Sequence, residues 1–236
     1  MKPRVKPGTF LLLCCIAGAL LIPLLVALMA VAGLVLDLFI PGDMPRDLEG
    51  IYGLQVAAMF GLLAGLAIGQ LQFFLVKRCL DLGLPRWRRI SALGGLLGAI
   101  VAWSLASFAN HYELWLNMRI PPHIKVTLEA ALPMLIGLGV FVSVQALVLR
   151  PQVSGAWRWP LAPIAAIALL AVFQLADHAD ARNWSYVPGP RFLLLGAAPI
   201  AALFSGITML RISRDIRSDK VKRGDSAHHF PAKRSV

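Results

Sequence analysis

Six long apolar stretches, separated by short polar segments, constrain this chain more than any other feature of it. They fall at Phe10–Leu36, Leu54–Val76, Ile90–Ala109, Ala130–Leu149, Pro160–Ala176 and Phe192–Leu210. A hydrocarbon core about 30 Å thick asks for about 20 consecutive apolar residues from a crossing α-helix, and each stretch is near that length. Amides in lipid have no water to bond, so each stretch must satisfy its own backbone as a helix. The ten-residue alternation of a barrel strand is missing. The expected fold is all-α: a polytopic membrane helical bundle of six transmembrane helices, forming one domain over residues 1–210. Only 15% of the 236 residues are charged, against about 25% in soluble domains, and the connecting segments are too short to fold alone.

Charge sets the expected orientation. The N-terminus (Lys2, Arg4, Lys6), the second loop (Lys77, Arg78, Arg86, Arg88, Arg89), the fourth loop (Arg150, Arg158) and the tail from Arg211 hold 18 of the 23 basic residues. The first loop is instead acidic, with Asp37, Asp43, Asp47 and Glu49. The positive-inside rule places both termini in the cytoplasm, and an even number of spans requires the same. The net charge of +11 is then a retention signal spread over loop ends, which argues against a nucleic-acid partner and for anionic lipid headgroups at the cytoplasmic face. The basic tail, 211–236, alternates cations with Ile212, Ile216 and Val221. Its first half suits a short interfacial helix and the rest suits disorder. The expected location is a bacterial plasma (inner) membrane.

A weak internal repeat runs through the spans. The second ends Gly69-Gln70-Leu71-Gln72-Phe73-Phe74-Leu75-Val76-Lys77, and the fourth ends Gln145-Ala146-Leu147-Val148-Leu149-Arg150. Aligning Gln72 with Gln145 aligns Lys77 with Arg150. A Trp/Arg-rich turn follows each, Arg86-Trp87-Arg88 and Trp157-Arg158-Trp159. The pattern suggests three tandem helical hairpins in one orientation. On these residues the chain loosely resembles uncharacterised bacterial multi-pass membrane proteins with repeated Gly-x-x-Gln-x-x-Leu-Val-Lys/Arg hairpins. The resemblance covers about half the chain and implies no activity.

The central span segments contain no ionisable side chain, which disfavours proton-coupled pumping, voltage sensing and haem ligation by intramembrane histidines. Their polar residues are glutamines, with Gln72, Gln145 and Gln174 the candidates either for a polar solute path or for interhelical hydrogen bonds. The second reading is favoured because glutamines near span ends bond neighbouring helices at little cost. Small residues recur at helical spacing: Gly61, Gly65 and Gly69 on the second span, Gly94 and Gly98 on the third. Such ridges let backbones approach closely, so these two helices are expected to pack together; dimerisation through one ridge is the alternative. Outer-side segments carry His111, His123, Asp177 and His178, weak candidates for a metal site whose spacing matches no metalloenzyme motif. Trp87, Trp157 and Trp159 read as part of an interfacial aromatic belt. Three cysteines, Cys14, Cys15 and Cys79, cannot build a disulfide framework. Nucleophile-elbow and phosphate-loop signatures are missing, and no cofactor is implied.

Three function classes stay open. The leading one is a non-enzymatic structural or accessory membrane protein that interacts with lipid or with a protein partner, itself or another. The alternatives are a transporter or permease for a small neutral or amphiphilic solute, and a membrane enzyme with an outer-face His/Asp/Glu site. The topology is directly testable: single cysteines placed at Asp43 and Arg89 should label from opposite sides of sealed vesicles, and labelling from one side would overturn the charge argument.

Overall fold

The computed structural model of the chain describes residues 5–38, 46–80, 86–111, 122–150, 156–179 and 199–215, and among these every regular element is helical. In chain order they are α1 (Pro7–Asp37), α2 (Arg46–Leu75) running into a π-helical turn (Val76–Leu80), α3 (Trp87–His111), α4 (Pro122–Leu149), α5 (Arg158–Ala179) and α6 (199–215). Among the described residues four segments are long and apolar enough to cross a bilayer: Pro7–Val35, Gly50–Cys79, Trp87–Ala109 and Ala131–Leu149. The protein is therefore a membrane-embedded helical bundle. Within the described residues α5 adds a shorter apolar helical stretch, Arg158–Leu169. The segments after it up to α6, and the chain beyond 215, lie outside the described residues.

Neighbours in sequence are neighbours in space, with α2 on α3, α3 on α4 and α4 on α5, while α1 leans on α2. The tightest contacts rest on missing side chains. A Cβ on Gly61 would land on the Gly95 carbonyl and on Ala99, and one on Gly95 would meet Gly65 Cα at 2.7 Å. A Cβ on Gly65 would strike the Ser91 carbonyl, and one on Gly69 would come within 2.7 Å of Ser91 Oγ. The α2 ridge thus lies backbone to backbone on α3. Gly94 and Gly98 turn the other way, however. A Cβ at Gly94 would sit 2.9 Å from the Phe141 carbonyl, and Gly98 packs reciprocally on Gly137, both on α4. Gly95, one residue from Gly94, is what α3 offers to α2. One helix therefore uses two small-residue faces for two partners, and both ridges are occupied inside the monomer. Where hydrocarbon surrounds the helices there is no hydrophobic effect between them, so this close approach supplies dispersion contact instead.

The core is not centred. Phe10, Val76, Cys79, Trp87, Leu149, Ala156, Trp159, Met209 and Ile212 belong to one buried cluster, together with Cys14, Phe141 and Val142 farther along α1 and α4. It lies where α1, α3 and α5 begin and where α2, α4 and α6 end. Lys77, Arg78, Arg86, Arg88, Arg89, Arg150 and Arg158 flank the same end. We refer to it as the basic end. Away from it α1 is lined with exposed leucine and valine, including Leu20 and Leu34 at 65% each. A helix hydrophobic on all sides suits lipid contact.

Substituting Gly65→Val should destabilise the bundle by about 1–3 kcal/mol through overpacking against the α3 backbone. Gly139→Ala, whose Cβ would meet only Ile164 Cδ1 at 3.7 Å, should be neutral. Chemical unfolding in mixed micelles measures both.

Candidate functional site

At the basic end, four helices meet through one carboxamide. Gln145, on α4, is fully buried, as is Ser91 on α3. Gln145 Nε2 donates to Gln72 Oε1 on α2 at 2.9 Å and to Ser91 Oγ at 2.8 Å. Its Oε1 accepts from Trp159 Nε1 on α5 at 3.0 Å. Gln72 Oε1 takes a second donor, Trp87 Nε1, at 3.3 Å. The two indoles pack edge to face, with centroids 5.8 Å apart and planes at 72°.

The orientation of both amides follows from the chemistry of indole. An indole N–H can only donate, so the Gln145 atom facing Trp159 must be the carbonyl oxygen. That leaves the Gln145 NH₂ facing Gln72 and Ser91, and Gln72 must then present its own oxygen. The Trp87 indole requires the same of Gln72. Both protons of the Gln145 amide and both indole N–H groups are satisfied, and the Gln72 oxygen uses both lone pairs. In hydrocarbon each such interhelical bond contributes about 0.6 kcal/mol on average and up to about 1.7. Leaving one buried member unpaired costs about 1–3 kcal/mol.

The repeat seen in the sequence is expressed in this geometry. Each glutamine accepts from a tryptophan in the first turn of the following helix: Trp87 opens α3 and bonds Gln72, while Trp159 is the second residue of α5 and bonds Gln145. The amide-to-amide bond and the indole pair join the two hairpins. Trp87 and Trp159 are 1% and 2% exposed, so these two are core residues; Trp157, 62% exposed, remains at the surface. Ser91 gave no signal in the sequence. The similar Gln-to-Trp separations of 15 and 14 residues were the available one.

Beside this network lies an apolar cavity of about 300 Å³, at the small end of ligand pockets (about 300–1,000 Å³). Its walls come from five helices, among them Gly18, Leu71, Leu138, Ile167, Ala201 and Gly206, and Gln72 and Trp159 also line it. Helices α1 and α6 close one side, where a Cβ on Gly206 would meet Cys14 Sγ at 3.0 Å. Gln72 Oε1 and Trp159 Nε1 are directed into their own hydrogen bonds.

Of the remaining sequence candidates, only His111 has a described side chain. His111 is exposed at the end of α3, and the side chains of His123, Gln174, Asp177 and His178 lie outside the described residues. Among the described residues no group of His, Cys, Asp and Glu could hold a metal ion. Comparison with protein-family models, curated proteins and solved structures finds no match to this chain.

Gln145→Leu should destabilise the bundle by roughly 1–3 kcal/mol, because it strands Trp159 Nε1 and Ser91 Oγ in a buried site. A double-mutant cycle over Gln72 and Gln145 should give a coupling of about 0.6–1.7 kcal/mol; unfolding followed by tryptophan fluorescence measures it.

Proposed function

We propose that this chain is a non-enzymatic, lipid-interacting membrane protein whose interhelical cavity holds a hydrocarbon chain of a membrane lipid. The supporting observation is the cavity lined in part by Gln72 and Trp159, with almost wholly apolar walls and with Gln72 Oε1 and Trp159 Nε1 already engaged in internal hydrogen bonds. An empty space of about 300 Å³ would forfeit dispersion contacts along its whole lining, at a cost of several kcal/mol. The bilayer around the bundle offers acyl chains at high concentration. A chain entering from lipid gains no hydrophobic free energy, since it leaves one hydrocarbon medium for another. What it gains is contact with a fixed wall, which selects by shape.

The same geometry weighs against a polar transport path. Gln145 is fully buried and bonded to three neighbours, so it is interhelical glue rather than the lining of a water-filled route. The proposal includes six crossings, with Pro160–Ala176 and Phe192–Leu210 as the fifth and sixth. It also includes both termini on the cytoplasmic side of a bacterial plasma membrane, on the strength of the cations at the basic end.

Purification of the full chain from native membranes in mild detergent, followed by intact-complex mass measurement, should find one retained lipid per chain. Ala201→Phe or Ala17→Leu should displace it while leaving the unfolding temperature unchanged or raised, because each fills the cavity. Equal retention in both filled variants, or no retained lipid in the parent, would overturn the reading.

A further inference from the structure

We infer that a second lipid site lies on the opposite face of α2, where three arginines at the α2–α3 groove bind the headgroup of one anionic phospholipid. The groove encloses about 830 Å³ and is lined by Leu66, Ala67, Gln70 and Phe73 of α2 with Arg86, Trp87, Arg88 and Arg89 at the start of α3. This lining contains three cations and no carboxylate. Asp81, in the intervening loop, lies outside the described residues.

Its polarity is graded along the helix. Leu66 is 41% exposed and stands two turns closer to the membrane centre than Phe73, so the groove passes from hydrocarbon wall to guanidinium rim. That is the profile of a phospholipid: acyl chain along Leu66 and Ala67, phosphodiester among the arginines. A soluble anion would use only the upper half.

The rim is also held in place. Arg88 Nη1 donates to Gln70 Oε1 at 3.3 Å, and its guanidinium lies 5.2 Å from the centre of the Phe73 ring. Lys77 lies over the same ring at 5.6 Å. A guanidinium fixed by a hydrogen bond and an aromatic face loses less rotamer freedom on binding phosphate than a free one. Arg86 has a left-handed backbone, φ 64°, at the turn into α3, and lines the groove with Arg88 and Arg89. The exposed guanidinium groups keep donors in hand for two phosphate oxygens.

The test is competitive binding to the purified full chain, by intact-complex mass measurement, of phosphatidylglycerol against phosphatidylcholine with identical acyl chains. Identical chains cancel any contribution from the apolar cavity, so this result stands or falls apart from the reading above. The parent protein should prefer the anionic lipid by about tenfold or more. Arg88→Gln with Arg89→Gln should bring the ratio close to one, and Arg150→Gln with Arg158→Gln, at the same end of the bundle, should leave it unchanged. The inference fails if the parent shows no preference, or if both double variants lose it equally, since charge at the basic end would then act diffusely. It also fails if chain-free glycerophosphoglycerol competes as well as the lipid does, since the site would then be one for soluble anions.

Discussion

A carboxamide surrounded by hydrocarbon has to find every partner among its neighbours, and Gln145 does so with residues of three other helices. This requirement fixes more than one residue. For its amide to give two protons and accept an indole N–H, the rotation and height of α2, α3, α4 and α5 must agree to within a few tenths of an ångström at the basic end. Dispersion between smooth apolar helices is nearly indifferent to sliding. Hydrogen bonds with directional donors are not. The glycine ridges then act where the network has already set the register: Gly65 against Ser91 is the clearest case, since Ser91 is also a partner of Gln145.

The arrangement divides the bundle chemically. Toward the basic end lie the aromatic and polar lock and most of the buried core. To one side of α2 lies a space with apolar walls, and to the other a groove with a cationic rim. The lock stands between them, with Gln72 and Trp159 bordering the first and Trp87 bordering the second. The Gln145 amide, the Gln72 oxygen and both indole N–H groups are turned on one another within the lock.

The helices themselves were legible from the chain because length and hydropathy suffice to mark a stretch that must live in lipid. The helices run past the apolar limits at several ends; α4, for instance, begins at Pro122, eight residues before Ala130, since helix continues into the interfacial region where hydropathy has already fallen. The site was legible in part. Gln72 and Gln145 stood out as polar residues in apolar runs, and their bonding to neighbours was the favoured reading. Which neighbours could not be read, because periodicity gives the face of a helix but not what lies opposite. The same gap explains Gly94 and Gly98, whose ridge packs on α4 while the adjacent Gly95 serves α2. Trp87 and Trp159 looked like belt residues because burial of an indole near a span end depends on the acceptor it finds. The cavity left no trace in the sequence, since it is a property of five helices failing to fill a shared space.

That space has a further consequence for biosynthesis. Its walls include both α1, the earliest of the described helices to be made, and α6, the latest. The glutamine–tryptophan lock needs nothing after α5 and can assemble while the ribosome is still working. The compartment beside it lacks one of its walls until α6 docks Gly206 against Cys14. An acyl chain held there, as proposed above, would be in place before α6 docks rather than admitted afterwards.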